Sequence, residues 1–349
     1  MKVFFIGETY RADAQTWLRG LKEFGKCEIE TWEIIARPGP FSRVWRMLDT
    51  LKAIFTLGKK IKESGADILL SERITSYGFI AACTGFHPFV VAQQGITDVW
   101  PQKSFSTPFK SALAKFAFKK ADLIQAWGEA MVPAMLSLGA DPTKIKVLAK
   151  GIDLEAFSYN TEIKDWGKIK GVVTRSLTSD YNHHIIIKAA RILKDQNVPV
   201  EINIIGDGPL MNDLKQLATE LDINDIITWT GRIPNHKLPS YLIASNMYLS
   251  VPVTEGVSAS LFEAMGAGAF PIVTDLPGTR AWINNEKNGF LVPVNNPESL
   301  AKTMIKAWWN KDLMKQALLF NRRLVEDKAD FKKNIPTMLE WYNALIKNR

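Results

Sequence analysis

The chain has 349 residues, 46% of them hydrophobic and 23% charged, enough to bury a full core and, at ordinary domain sizes, to form two domains. That excludes a chain disordered throughout, and the two cysteines, Cys27 and Cys83, exclude a disulfide framework or a cysteine metal cluster and read as reduced thiols of a cytoplasmic protein. The net charge of +8 lies almost wholly in the first part, where residues 1–150 carry 21 Lys and Arg against 14 Asp and Glu.

The opening Met1-Lys-Val-Phe-Phe-Ile6 is too short for a signal-peptide core and reads as a first β-strand at 2–6. No window approaches the roughly 18 uncharged apolar residues that span a bilayer, so the chain is expected to be soluble or to rest on a membrane without crossing it. Short apolar runs at 67–70, 89–92, 123–126 and 145–148 continue the strand series, alternating with amphipathic stretches. Two of those stretches, 41–62 and 104–120, set aromatic and aliphatic residues opposite lysines and arginines. They fit segments that lie on anionic bilayers and equally fit core helices with a solvated basic face. Nucleic acid is not expected as a partner, since no recognition motif accompanies the charge.

Lys150-Gly-Ile-Asp-Leu-Glu-Ala-Phe157 lacks helical periodicity and reads as the connection between domains. A second strand series follows at 170–174, 200–205, 226–229, 247–251 and 270–274. Strand and helix alternation predicts an α/β fold with parallel sheets covered on both faces: two doubly wound Rossmann-like domains facing a cleft. The boundaries expected are 1–152 and 153–330, with a final helix over 331–349 packing back on the first domain.

In such sheets ligands collect where strand ends lead into helix N-termini. The loop at Gly7 lacks the later glycines of a dinucleotide fingerprint, and Gly206-Asp-Gly208 is a lone G-x-G, which disfavours a nicotinamide cofactor. More informative is Glu255-Gly-Val-Ser-Ala-Ser-Leu-Phe-Glu263. Met247 to Val251 is the strand and Ser258 an N-cap for a helix from Ala259 to about Met265. Such a helix end presents unpaired N–H groups to an anion, and Gly256 lets the backbone come close. Glu255 and Glu263 then flank the anion and, since carboxylates repel phosphate, should meet hydroxyl groups. A plain strand-helix-strand unit remains the alternative.

Together these residues resemble the retaining glycosyltransferases of family 4, of the GT-B fold shared with glycogen synthases. The resemblance runs through Arg175-Ser-Leu177, Ile204-Ile-Gly-Asp-Gly-Pro209, Thr230-Gly-Arg-Ile-Pro234, the Glu255 to Glu263 segment, Asp275-Leu-Pro-Gly-Thr-Arg280 and Asn288-Gly-Phe-Leu-Val-Pro293. The first half matches more loosely, through Gly7, Gly95-Ile-Thr-Asp98 and Lys150-Gly-Ile-Asp153. It implies that Glu263 binds the ribose of a sugar nucleotide, that Glu255 sits against the transferred sugar, and that backbone N–H groups of Val257, Ser258, Ala259 and Ser260 meet the diphosphate. Arg175 would neutralise that diphosphate as it leaves. Arg232 would lie near the base or be an ordinary loop arginine, and Gly206 and Gly7 would line the nucleotide loops.

Two departures stand out. The family lysine five residues after the arginine is Asp180 here, followed by Tyr181, and the histidine of the first-domain loop is Gln94. Asp98 is then the first-domain candidate to touch sugar or acceptor, with helix capping as the alternative. No D-x-D occurs, so no divalent metal and no other cofactor is expected. The resemblance implies front-face displacement with retention. The basic, aromatic-rich stretches of the first half point to a glycan or lipid-linked acceptor in surface polysaccharide assembly, and to a cytoplasmic protein at the inner face of the membrane. His183 and His184 look like a base pair on paper and read as surface or packing residues. Two other functions stay open: a sugar-nucleotide-binding partner without catalysis, and a phosphorylase or epimerase of the same fold.

Overall fold

The structure, a computed structural model, describes residues 1–34, 39, 42–93, 107–157, 159 and 164–348. The chain divides into two compact units, Met1–Lys150 with Phe331–Arg349, and Gly151–Asp330.

The first unit is a six-stranded sheet of β1 (Lys2–Ile6), β2 (Glu28–Trp32), β3 (Ile68–Glu72), β4 (Phe89–Gln93), β5 (Leu123–Ala126) and β6 (Ile145–Val147), in the order β2-β1-β3-β4-β5-β6 and parallel throughout. Strands covered on both faces need no polar alternation, and Val3, Phe4, Phe5 and Ile6 are accordingly all buried. The helices are α1 (Ala12–Gly25), α2 (Ser42–Ser64), α3 (Phe79–Cys83), α4 (Thr107–Lys120) and α5 (Val132–Ser137). Right-handed crossovers in this strand order put α1 on one face and α2 to α5 on the other.

The second unit repeats the plan with β7 (Ile169–Val173), β8 (Val200–Ile205), β9 (Ile227–Gly231), β10 (Met247–Ser250), β11 (Phe270–Thr274) and β12 (Phe290–Val292), ordered β12-β11-β10-β7-β8-β9. Its helices are α6 (His183–Asp195), α7 (Met211–Glu220), α8 (Leu238–Ala244), α9 (Ala259–Gly266), α10 (Pro277–Arg280), α11 (Pro297–Trp309) and α12 (Lys311–Lys328). One core joins α6 and α11 to the sheet through Ile186, Leu193, Leu249, Ile272 and Met304.

The last helix, α13 (Phe331–Lys347), belongs to the first unit. It lies along α1, where Phe24 and Phe331 meet ring to ring at 5.4 Å, and reaches β5, whose buried Gln125 accepts from the Tyr342 hydroxyl at 2.6 Å. Two strands escaped the sequence reading. β2 carries Glu28 and Glu30 on a sheet edge and is held by its register with β1, while β12 is only three residues long. Both cysteines are free, Cys27 buried and Cys83 half-buried. Among the described residues no helix is long and apolar enough to cross a membrane.

In each sheet the chain runs outward from its first strand one way, then returns to the other side. The reversal falls between β1 and β3 in the first unit and between β7 and β10 in the second. The crevice outside the carboxyl ends of such neighbouring strands is where open α/β sheets bind ligands.

Candidate functional site

In the second unit the crevice lies beyond β7 and β10. Arg175 follows β7 by two residues and Glu255 follows β10 by five. Their side chains, 13% and 11% exposed, form an ion pair through a guanidinium Nη2 and Oε2 of Glu255. The other terminal nitrogen of Arg175 donates to Ser260 Oγ at 3.0 Å and Ser258 Oγ at 3.3 Å. Ser258 caps α9 by accepting from the Leu261 N–H at 3.3 Å, and Ser260 Oγ also lies 2.9 Å from the Tyr248 hydroxyl. Thus the guanidinium lies across the start of a helix that has no acidic residue in its first turn, which leaves the positive end of its dipole available to an anion.

Beneath Arg175, the ring of Tyr181 lies 4.4 Å from the guanidinium carbon. Burial draws the Arg175 pKa down, but the charges of Glu255 and Glu263, with Tyr248 and Tyr181, outweigh it and the net shift is upward. The group is a permanent cation. Glu263 is half-buried, a turn into α9, and acts on Arg175 through its charge.

The neighbouring loops hold this arrangement. The Val253 N–H donates to the Asp180 carbonyl at 2.9 Å, tying the loop after β10 to the loop after β7. Gly206 has φ +153°, and a Cβ there would be driven into the Arg175 carbonyl oxygen. Gly278, after β11, is pressed just as closely on the carbonyls of Glu255 and Gly256. These glycines therefore serve loop-on-loop contact, the close approach that only glycine permits. Thr279 locks the same corner by donating to the Thr274 carbonyl at 2.6 Å.

The expected site residues are thus partly gathered. Arg175, Glu255, Ser258, Ser260 and Glu263 come together, Gly256 is buried between Glu255 and the helix, Val257 is half-buried and Ala259 exposed. Arg232 is exposed at the end of β9, two strand spacings or roughly 10 Å from β7. Asp180, where the resembling family carries a lysine, turns its side chain to solvent. Asp98 lies outside the described residues, as do Gln94 and Gly95. His183 is a packing residue, 2% exposed, its pKa pushed down to about 4 by burial and then by the Arg175 charge. It is therefore a neutral imidazole at neutral pH. Among the described residues no group of three or more His, Cys, Asp or Glu is placed to hold a metal ion.

Gly7 belongs to the corresponding crevice of the first unit, packed against the side chain of Glu72. Glu72, fully buried at the end of β3, accepts from the Glu8 N–H at 2.6 Å. Glu8 in turn pairs with Arg73 at 3.1 Å and Arg11 at 3.5 Å. Arg73 has φ +60°, a strained backbone that persists only where its surroundings hold it. The sequence did not reveal this cluster, and it offered Tyr181 only as a departure beside Asp180, without its contact with Arg175. A carboxylate closing the apolar run Ile68-Leu-Leu-Ser-Glu72 was the one visible signal.

Comparisons with known proteins bear on this geometry. Residues 162–318 match the family model for glycosyl transferases group 1. The WcaL protein of Salmonella typhimurium, named for colanic acid biosynthesis, is 28% identical over 190 residues, 53% of this chain and 47% of that protein. The chain thus spans about half the length of that relative, and the Escherichia coli WcaL match covers 55%. An Escherichia coli UDP-Gal:alpha-D-GlcNAc-diphosphoundecaprenol alpha-1,3-galactosyltransferase is 28% identical over 325 residues, 87% of this chain and 82% of that one. Among solved structures, Anabaena Alr3699/HepE in complex with UDP and glucose superposes with a TM-score of 0.78 over 99% of this chain and 100% of its own, at 15% identity. That likeness shows the fold: the two parallel six-stranded sheets are the GT-B architecture of Rossmann-like glycosyltransferases.

Proposed function

We propose that the chain is a retaining, metal-independent glycosyltransferase, of the kind grouped in family 4, that moves a sugar from a nucleoside-diphosphate sugar to a hydroxyl of a lipid-linked glycan during surface polysaccharide assembly. The observation that carries this reading is the Arg175 guanidinium held across the N-terminus of α9 by Glu255, Ser258 and Ser260. Two positive elements, a permanent cation and a helix end, converge where a departing diphosphate would gain charge. Glu263 is assigned to the ribose hydroxyls and Glu255 to the transferred sugar.

In the reaction, the bond between the sugar C1 and the diphosphate oxygen breaks while a bond from C1 to the acceptor oxygen forms on the same face. The acceptor proton passes to the leaving diphosphate. Nothing is oxidised or reduced. Arg175 and the first N–H groups of α9 supply the positive charge that a metal ion supplies elsewhere. Asp98, in the first unit, is assigned to the sugar or the acceptor.

Support comes from the group 1 match, from the polysaccharide and lipid-linked activities named for the relatives, and from the UDP and glucose bound by the Anabaena protein. The protein is assigned to the cytoplasmic face of the membrane as a peripheral partner of anionic lipid. Incubation with a panel of sugar nucleotides and diphosphoundecaprenol-linked sugars tests the assignment. Acceptor-dependent release of nucleoside diphosphate, strongly reduced by Glu263→Gln, is expected, and turnover unchanged by that substitution contradicts the ribose contact. A second reading, a sugar-nucleotide-binding partner without turnover, is favoured by Asp180 in the place of the family lysine; binding of a donor with no turnover on any acceptor would establish it.

A further inference from the structure

One outer face of the first unit is both apolar and basic. On α2, Ala53, Leu57 and Ile61 are buried, while Leu48, Leu51 and Phe55 are 45%, 47% and 83% exposed. At 100° per residue these two sets lie on opposite sides of the helix, and Lys52, Lys59 and Lys62 fall on the exposed side together with Glu63, which pairs with Lys59 at 3.6 Å. On α4, Ala114, Ala117 and Phe118 are buried, whereas Phe109 and Phe116 are 67% and 36% exposed beside Lys119 and Lys120. That helix contains no Asp or Glu.

Helix α3 joins the two stripes: Gly58 of α2 lies against the backbone of Thr84 at its end, and Phe79 meets Phe116 of α4 at 5.7 Å between ring centres. The helices therefore form one layer, with their buried sides toward the sheet and their exposed sides pointing away together. Beside α4 a groove of about 570 Å³ is lined by Lys115, Lys119 and Lys144, with Asp141.

Single exposed apolar residues are ordinary, but a contiguous apolar stripe marks an interaction surface. The charge selects the occupant. Two copies meeting through this face would oppose lysine to lysine, and nucleic acid would leave the phenylalanines in water. An anionic bilayer satisfies both sets of groups, since rings enter the boundary between headgroups and acyl chains while lysines meet lipid phosphates.

We propose that the α2–α4 face of the first unit seats on an anionic lipid bilayer, with Phe55 and Phe109 entering it and Lys115 and Lys119 receiving a lipid phosphate in the groove, beside Lys144, whose ammonium is held by the Ala121 carbonyl at 2.9 Å. This deepens the reading of the acceptor as lipid-linked, and it stands on residues outside the nucleotide site.

Co-sedimentation of the full chain with vesicles tests it. Pelleting is expected with phosphatidylglycerol–phosphatidylcholine vesicles at low salt and at least about tenfold weaker partition with phosphatidylcholine alone. Phe55→Ser with Phe109→Ser, and separately Lys115→Glu with Lys119→Glu, should each lower partition about tenfold. Both variants should bind a nucleoside diphosphate as wild type does, so failure on vesicles and failure of the nucleotide site are read apart. No pelleting of the wild type at low salt, or partition unchanged in both variants, would overturn the proposal. A dimer that the phenylalanine variant dissociates, without vesicle binding, would assign the face to a second copy instead.

Discussion

Arg175 and Glu255, 80 residues apart in the chain, are ion-paired across the loops that leave β7 and β10. The pair occupies the point where the strand order of the second sheet reverses, and the same guanidinium reaches both serines at the start of α9.

Substituting Arg175→Lys should lower turnover by about a hundredfold, because a compact ammonium cannot meet Glu255, Ser258 and Ser260 with one planar fork. Steady-state kinetics check this. A lysine variant within a few fold of wild type would show that charge alone suffices.

Tyr181 holds the other side of the guanidinium, 4.4 Å from its carbon. Loss of such a cation–π contact costs about 1 kcal/mol, or about fivefold. Tyr181→Leu should therefore weaken donor binding about fivefold, while Tyr181→Phe, which keeps the ring, stays close to wild type. Equal losses in both would transfer the role from the ring to the hydroxyl.

Gly206 packs on the Arg175 carbonyl at φ +153°. A methyl group there must displace backbone, so Gly206→Ala should destabilise on the order of 2 kcal/mol and weaken donor binding with it. Thermal unfolding and a donor titration report the two effects. An alanine variant of unchanged Tm would mean that the loop is looser than its contacts imply.

His183 should make the protein acid-sensitive. Burial, and then the Arg175 charge, holds its folded pKa at about 4, below the ordinary 6.5. As pH falls through 6.5 the unfolded chain takes a proton that the folded chain refuses, so stability present above that pH is lost down to pH 4. The full difference is about 3 kcal/mol. Denaturant midpoints at pH 7 and 4.5 should separate clearly in the wild type and less so in His183→Leu; equal separation in the two would assign the acid sensitivity to other groups.

How much of this was legible varied with what decides each feature. Strands such as Phe89–Gln93 and Phe270–Thr274 are buried on both faces, so continuous apolar runs announce them. Strand Glu28–Trp32 alternates Glu with apolar residues on an edge, and only its neighbour makes it a strand. The helix start at Ser258 could be read because capping is local chemistry. The contact of Arg175 with Glu255 could not, since it depends on β7 lying beside β10. Gly206 and Gly278 were legible as motif residues, but their close approach to neighbouring loops is a tertiary fact. The Glu8, Glu72 and Arg73 cluster was hidden for the same reason.

The most direct measurement is a calorimetric titration of the full chain with nucleoside diphosphates, UDP among them, in the presence of a metal chelator. Saturable one-site binding is expected, weakened at least about tenfold by Glu263→Gln and by Arg175→Ala. Absence of binding to every nucleoside diphosphate, or affinity unchanged in both variants, would contradict the assignment of the α9 N-terminus as a diphosphate site.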